Sequence, residues 1–471
     1  MAKRNKSTYE RLAEGPLNRK QRRELQRLLN SADPGLEVVH RDAAGIDIGN
    51  ASHFAAVPAD RDEQPVREFG SWTAGLREMA IWLKQCGIRT VAMQSTGVYW
   101  IAAQEVLEQQ GLEVYLVNAR GTKNLPGRKS DVQESQWLMK LHTYGLLRNS
   151  FRPPEEIRAV RTIWRQRDRL VQEAGRTIQQ MQKALTTMNV QLANTISDVS
   201  GVTGLAIIRG ILAGVRDPWA LAKLRDKRIS ASEEEIAHSL EGNWREDVLF
   251  ELRQVVEAYD FYRKQMAACD QELRKYMAML PDHPTAGEPV EPHRKSKSRR
   301  KNHPGFDLAA ELQRILGADV TTIDGVDILT GQIILSEIGP DVNAFASEDH
   351  FASWLGLAPR KDISGGKVIR HIKPEGRNRV ANALRMAAQS LSRSHSYLGA
   401  RYRNLRGRLG GPKAVKAMAR YLACVVYRLL TKGQAYVDRG AAHYESQRPD
   451  REVNALQRRA TALGLQLVPA V

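Results

Sequence analysis

The sequence is poor in cysteine and has no long apolar run. Its three cysteines, at positions 86, 269 and 424, are far apart and form no CxxC or Cys/His pairing. This spacing argues against a disulfide framework and a zinc site, and it is typical of the reducing cytosol. The apolar run YLACVVYRLL (421–430) contains Arg428 and is too short to cross a bilayer. The first residues, MAKRNKSTYERL, lack the apolar core of a secretory signal. We therefore expect a cytoplasmic protein with no membrane segment.

Acidic residues are also in deficit. The chain has 53 Asp and Glu against 71 Lys and Arg, which gives a formal net charge of +18. Such a surplus favours a polyanionic partner, because each phosphate that binds Lys or Arg releases condensed counterions. A membrane surface is the competing polyanion, but the basic residues are spread along the chain instead of lining one amphipathic helix. Nucleic acid is therefore the favoured partner.

With 471 residues, the chain is too long for a single core, and its patterning changes several times. Nine Lys and Arg against three Glu precede residue 31, so the N-terminal segment is either an arm that contacts phosphate or a solvated tail. We predict six segments: a basic N-terminal arm (1–36), a catalytic α/β domain (37–150), a helical coiled-coil region (151–280), a basic disordered linker (281–303), a mostly helical domain (304–440) and a polar C-terminal tail (441–471).

The α/β segment combines a strand meander with strand–helix units. VVHRDAAGIDIG, HFAAVPA and REFGSW predict three strands in succession, and TVAMQSTG and LEVYLVNA predict two more, each preceded by a helix. A meander followed by such units indicates a mixed sheet covered by helices. Beyond it, apolar spacing near 3.5 predicts long helices at 155–195 and 245–280 that pack as an antiparallel or coiled-coil arm.

Carboxylates stand at the ends of two of these elements. Asp47 ends the apolar strand AGIDIG, where a charge needs a hydrogen bond or a cation. Asp131 and Glu134 are three residues apart and share one helix face. Together they could hold one or two Mg²⁺ ions against a phosphodiester. The alternative is a capping box, with Ser130 or Asp131 as N-cap and Glu134 as its partner.

A second candidate site lies in RKDISGGKVIRHIKPEGRNRV (360–380). Ser364 stands in a flexible turn, and a serine there is rarely a nucleophile on sequence grounds alone. Positive charge surrounds it and would stabilise a phosphorane, and two further arginines open the next helix, which suits a phosphate. The candidate phosphate-binding residues here are Arg360, Lys361, Lys367, Arg370, Arg377 and Arg379.

Four stretches, in order, resemble the IS-one-ten group of bacterial insertion-sequence transposases. They are GIDIG, MQSTGVYW, LVNARGTKNLPGRKSDVQESQWL and LGLAPRKDISGGK, and the similarity covers roughly residues 40–435. The resemblance implies an RNase H-like (RuvC-like) domain with a DEDD carboxylate set, a coiled-coil arm and a C-terminal transposase domain with a nucleophilic serine.

Carried over residue by residue, the resemblance assigns Asp47, Asp131 and Glu134 to the carboxylate set and Ser364 to the nucleophile. Two positions depart from the family. The second acid is Gln94, which offers a neutral carbonyl oxygen, and the fourth is Glu where Asp is commoner. Weaker metal binding is expected, unless a nearby acid such as Glu105 compensates. Arg128 and Lys129, just before the helix, would approach nucleic-acid phosphate.

The function implied is a site-specific recombinase that cuts and rejoins DNA through a 5′-phosphoserine with Mg²⁺. The resemblance also implies a noncoding guide RNA, a homodimer or homotetramer whose site combines two protomers, and a bacterial cytoplasmic location at the nucleoid. Two alternatives stay open. One is a RuvC-like structure-specific nuclease that uses metal-activated water, and the other is a nucleic-acid scaffold whose acidic set has decayed.

Overall fold

The computed structural model describes residues 35–95, 97–118, 130–284, 302–364, 367–372, 378–433 and 440–446, with a few residues nearer each terminus. The chain divides into two compact units, Met1–Arg152 and Pro153–Val471. Each unit is described by itself. The six-segment division inferred from the sequence is finer than this and stays a prediction.

The first unit is built on a five-stranded mixed sheet, as the sequence predicts. Its strands have the order β3-β2-β1-β4-β5, with β1–β2–β3 antiparallel and β1–β4–β5 parallel. The strands are β1 (Ala43–Ile48), β2 (Ser52–Ala56), β3 (Val66–Gly70), β4 (Thr90–Gln94) and β5 (Glu113–Val117). All five residues of β4 are buried, because helices cover both faces of the sheet.

Between residues 35 and 152, the described helices are α1 (Thr73–Gln85), α2 (Trp100–Gln109) and α3 (Asp131–Thr143). Met79 of α1 and Leu107 of α2 share a core with Ile46 and Met93 of the central strands, so α1 and α2 cover that face. The opposite face belongs to α3, which packs on β1, β2 and β4. Leu29, from the predicted basic arm, is buried against Leu141 of α3, so this part of the arm belongs to the folded unit. Most of 1–36 lies outside the described residues.

The second unit begins with a helical region. Its helices are α4 (Glu155–Thr187), α5 (Leu192–Thr195), α6 (Val202–Leu212), α7 (Pro218–Ala222), α8 (Glu233–Ser239) and α9 (Glu246–Ala278). The long helices α4 and α9 pack along each other through residues such as Leu185 and Leu252. The predicted helix 155–195 is too long, because Asn189 adopts a φ of 57° and ends α4. Asparagine tolerates this left-handed conformation better than most residues.

Ion pairs and hydrogen bonds hold both ends of the basic segment to α9 and the residues just after it. Arg167 of α4, 2% exposed, pairs with Asp270 of α9, and its Nη1 donates to the Asn302 carbonyl over 3.1 Å. Asp270 also accepts from the Gly305 amide at 2.9 Å. At the other end, Arg314 Nη1 donates to Asp282 at 2.6 Å. The middle of the predicted linker lies outside the described residues.

Further helices follow in the C-terminal part of this unit. They are α10 (Leu308–Leu316), α11 (Ile328–Ile338), α12 (Glu348–Trp354), α13 (Arg379–Ser390), α14 (Tyr397–Leu409), α15 (Gly411–Lys432) and α16 (Gly440–Ser446), with 3₁₀ turns at Val320–Thr322 and Leu391–Arg393. α12, α13 and α14 each contact α15. Within the described ranges, no helix combines the length and apolarity that a membrane crossing requires.

One expectation for this region is corrected. The residues 360–370, rich in Gly, Ser and Lys, are expected to be a connection between helices, but β6 (Arg360–Ser364) and β7 (Lys367–Ile372) form a two-stranded antiparallel hairpin there. β-Branched residues recur along it, which favours strands over a flexible loop. The segment predicted as a polar tail (441–471) begins within α16. Tyr444 of α16 is buried, and its ring centroid lies 5.1 Å from that of Tyr397.

Candidate active site

Asp47 and Gln94 stand side by side at the carboxyl ends of two parallel strands. The β1–β4 register pairs Gly45 with Ala92 and Ile46 with Met93, so Asp47 and Gln94 come next at one level. Gln94 is 4% exposed, whereas Asp47 is half-buried. Side chains alternate between faces along a strand, so Asp47 shares the face of Gly45.

That face is the one covered by α3. A Cβ at Gly45 would overlap the backbone of Ser135 and Met139, so the helix lies directly on this glycine. On β4, Thr90 Oγ1 lies 2.9 Å from Nε2 of His142, near the end of α3. Gln94, four residues after Thr90, therefore points to the same side.

The helix runs antiparallel to β1 and β4. Its last turn lies at the start of the strands, where Thr143 accepts from the Val39 amide at 2.9 Å. Its middle lies over Gly45, and its first turn, with Asp131 and Glu134, therefore lies toward the strand ends that carry Asp47 and Gln94. Topology thus brings all four candidate residues to one edge of the sheet, which we call the carboxylate edge.

The start of α3 is fixed by a local cap. Ser130 is the N-cap and its hydroxyl accepts from the Gln133 amide at 3.3 Å. The capping-box position is then Gln133, so Glu134 stands one residue beyond it. Acids in the first turn stabilise a helix by about 0.3–1 kcal/mol through the helix dipole. This effect accounts for part of the preference for Asp131 and Glu134, but not for Asp47 on a strand.

Glu105 does not join this edge. It lies on α2, which covers the opposite face of the sheet with Ala103 and Leu107. There its Oε1 is 3.9 Å from Nη2 of Arg152. The structure therefore offers no support for Glu105 as a replacement for the missing second acid.

Ser364 ends β6 in the second unit. The backbone register of the hairpin pairs Ser364 with Lys367, with a bulge between Asp362 and Ile363. The side chains of Ser364 and of the four basic candidates in the hairpin (Arg360, Lys361, Lys367 and Arg370) lie outside the described residues, as do Arg128, Lys129 and Arg377 altogether.

Comparison with protein families agrees with this arrangement. The transposase model for the DEDD domain of the IS110 (IS-one-ten) group matches residues 44–190, and the model described as transposase IS116/IS110/IS902 family matches residues 318–403. The chain belongs to the IS110 group of transposases. A search of curated proteins found no match. As a transposase, the protein is an enzyme that acts on DNA, and the first match includes the carboxylate edge while the second includes Ser364.

The DEDD type of domain suggests the use of a divalent metal in general. The donors at the carboxylate edge fit this chemistry, because carboxylate and amide oxygens are the ligands of hard cations. Among the residues that the structure describes, however, no three His, Cys, Asp or Glu side chains stand close enough together to hold a metal ion. The donor types of the transposase therefore fit a metal, whereas the described side chains do not form a closed site.

Arg379, predicted to bind nucleic acid, is engaged within the transposase. It is the first residue of α13, and its Nη1 lies 2.8 Å from Oδ2 of Asp168 on α4. Its Nε is also 3.9 Å from Oε1 of Glu337 on α11. Contact with a phosphate would therefore compete with Asp168.

Glu337 is the centre of an arginine cluster that the sequence analysis missed. Arg165 donates to both Glu337 oxygens over 2.8 and 2.7 Å, and Nε of Arg161 lies 3.0 Å from Oε2. The Glu337 side chain is 7% exposed, and burial lowers the pKa of Arg161 despite the neighbouring carboxylate. One carboxylate thus links α4 to α11. A lone acid in the apolar helix ILTGQIILSEI was the sequence pattern that could have revealed it.

Proposed function

We propose that this transposase cuts and rejoins DNA strands through a covalent phosphoserine at Ser364, assisted by the carboxylate edge. The observation that carries the proposal is topological: Asp47 and Gln94 stand at the ends of β1 and β4, and Asp131 and Glu134 open α3 toward the same edge of the sheet. Oxygen donors at one sheet edge suit chemistry on a phosphodiester.

The reaction would exchange one phosphoester for another. Ser364 Oγ attacks the phosphorus, a new Oγ–P bond forms, and the bond between phosphorus and the 3′ oxygen breaks. The serine proton leaves with a general base, and the departing 3′ oxygen takes up a proton as a free hydroxyl. Rejoining is the reverse step with the 3′-hydroxyl of a different strand. The phosphoester is conserved, so no external energy source is required.

Basic residues would act on the phosphate itself. Arg360, Lys361, Lys367 and Arg370 belong to the two strands that flank Ser364, and their charge would balance the phosphorane. Arg128 and Lys129 precede α3 and would neutralise the DNA backbone at the carboxylate edge.

For the carboxylate edge we propose Mg²⁺, held by Asp47, Asp131 and Glu134 with the Gln94 carbonyl oxygen. When bound, the ion would neutralise charge on the phosphate and orient it. Gln94 lacks the charge of a fourth carboxylate, so we expect a higher magnesium requirement than a full acidic set would give.

The proposal extends to a noncoding guide RNA and to a homodimer or homotetramer. The net charge of +18 suits a second polyanion in addition to DNA. Ser364 and the carboxylate edge belong to different compact units, so an active site that combines two protomers is compatible with this division.

The test is a denaturing gel of the reaction with labelled donor and target DNA, Mg²⁺ and the RNA of the element. We expect a protease-sensitive protein–DNA adduct with the wild type and none with Ser364→Ala. Ser353→Ala, a serine of α12, is the matched control and should keep the adduct. Asp131→Ala should lose the adduct as well.

Other results would favour the alternatives. Cleavage without an adduct, indifferent to Ser364→Ala but lost in Asp131→Ala, would identify a nuclease that uses activated water. Salt-sensitive DNA binding with neither cleavage nor adduct would identify a scaffold.

A further inference from the structure

A long stretch of the second unit contains no acidic residue. Between Glu375 and Asp438 the sequence has 13 Lys and Arg and no Asp or Glu. Within the described residues, acids from other segments pair with three of these cations: Asp168 with Arg379, Asp349 with Arg420 at 2.7 Å, and Glu348 with Arg428 at 2.7 Å. The charge that remains is concentrated where α14 meets α15.

Four of the cations flank the turn between α14 and α15, and a fifth, Arg385, lies close to one of them. Gly410, with a φ of 75°, separates the end of α14 from the start of α15, and the two helices pack against each other. Burial and then the charge of Arg385 on α13 lower the pKa of Lys416, so these two side chains are close. None of the five forms an ion pair with the part of the chain that is described. We call Arg385, Arg406, Arg408, Lys413 and Lys416 the α14–α15 corner.

Helix stability does not explain the two lysines. Arg406 and Arg408 occupy the last turn of α14, where cations interact well with the helix dipole. Lys413 lies in the first turn of α15, where the dipole repels a cation by a few tenths of a kcal/mol or more, and Lys416 follows one turn later, where the dipole offers no stabilisation. That first turn has no acid and no side-chain cap. An anion from outside would stabilise both the lysines and the helix end.

Glycines leave the same corner open. A Cβ at Gly407 or Gly411 would meet nothing within 4 Å, so internal packing requires a glycine at neither position. Within a helix, glycine at 407 is less favourable than alanine by about 0.5–1 kcal/mol. Small residues on an open surface are typical where a ligand approaches the backbone closely.

We propose that the α14–α15 corner binds the phosphate backbone of duplex DNA, as an interface separate from the Ser364 hairpin. The duplex is favoured over RNA because DNA is the substrate of the transposase family, and the inference rests on the proposed function in that respect alone. The contacts are to phosphates, so binding there is independent of base sequence.

The test is DNA binding by the full chain, measured by fluorescence anisotropy over a salt series with a 5′-labelled duplex, in EDTA and without RNA. Lys413→Gln/Lys416→Gln should reduce the slope of log K against log salt by about 2, because each phosphate contact contributes about 0.9. Affinity near 0.1 M salt should fall by roughly tenfold or more.

The matched control is Lys223→Gln/Lys227→Gln, which removes the same charge from two exposed lysines elsewhere in this unit. This control variant should change the slope of log K against log salt by well under one. Gly407→Gln adds a side chain in open space, so it should leave the unfolding midpoint unchanged or raised while DNA binding weakens. This pair of readouts separates an interface from a folding defect.

Equal salt slopes for the lysine variant and its control would overturn the inference. The inference would also be overturned if the lysine variant showed a reduced salt slope for a matched RNA but kept the wild-type salt slope for DNA. Neither result bears on the proposed phosphoserine chemistry, which is tested separately by the protein–DNA adduct at Ser364. Conversely, loss of serine chemistry would leave the DNA-binding slopes of these variants unchanged.

Discussion

Glu337→Gln tests how strongly one buried carboxylate joins α4 to α11. The substitution keeps the shape of the side chain and removes its charge. Arg165 then loses its charged acceptor, whose oxygens lie 2.8 and 2.7 Å away, and Arg161 loses an ion pair at 3.0 Å. Arg161 and Arg165 would then stay close together without the negative charge that balances them.

The expected loss follows from burial. Removing one partner of a fully buried pair costs about 3–5 kcal/mol. Glu337 is 7% exposed, but Arg161 and Arg165 are 30% and 40% exposed and can be solvated again. We therefore expect a loss of about 2–3 kcal/mol for the two charged contacts together.

Amide hydrogen exchange is the suitable assay, since a chain with two compact units need not unfold in one step. At about 1.4 kcal/mol per tenfold, amides of α11 should exchange roughly 30- to 150-fold faster in the variant. Asp260→Asn is the control, because the Arg209–Asp260 pair is 55% and 48% exposed. Exposed pairs contribute about 1 kcal/mol or less.

Unchanged exchange in α11 after Glu337→Gln would refute this reasoning, because the cluster would then contribute no more than a surface pair. Equal effects of the two variants would lead to the same conclusion.

Three further outcomes are expected. Gln94→Glu places a charge at a 4% exposed position, so the variant should have a lower unfolding midpoint without metal. Millimolar Mg²⁺ should restore the midpoint. A loss of stability that Mg²⁺ does not reverse would argue against the proposed site. Burial lowers the pKa of His142 to about 4 from 6.5, so the unfolded chain binds more protons between these values. The free energy of unfolding should therefore fall by about 3 kcal/mol between pH 7 and 4. The His142→Gln variant should show a flatter dependence of the urea midpoint on pH. The same pH profile in the variant and the wild type would contradict this assignment. Gly45→Ala should force α3 away from β1 and lower stability by about 1–3 kcal/mol with loss of activity, while Gly70→Ala, with nothing within 4 Å, should be neutral in the same measurements.

The sheet was predictable because its elements carry their own patterns. AGIDI and TVAMQ are short apolar strands, and each predicted helix between strands ends at or near a glycine with positive φ, such as Gly87 and Gly111. The meander and the parallel pairs follow from the lengths of the connections. Membership of the transposase family was likewise available from four short motifs in order.

The pairing in the hairpin at 360–372 and the Glu337 cluster could not be predicted from the sequence, for a physical reason. The β-branched residues of the hairpin favour strands, but the Gly, Ser and Lys residues at its centre favour a loop, and strand pairing depends on which residues face each other. Glu337 and Arg165 are 172 residues apart, so their pairing depends on how α4 packs on α11. In the sequence, the only sign of a long-range ion pair of this kind is a single charged residue in an otherwise apolar helix.

The anchoring of both ends of the basic segment to α9 has a consequence for how this region can vary. Asp270 holds the Gly305 side, and Leu280 and Asp282 are held by Arg314, within the last turns of one helix and the residues just after it. A segment whose two ends are fixed by the protein on either side can change in length without repositioning the helices. In general, doubling the length of a flexible loop adds only about 0.6 kcal/mol to the entropic cost of closing it. The position is therefore suited to insertions, deletions and grafted sequences that leave the packing of α4 and α9 unchanged.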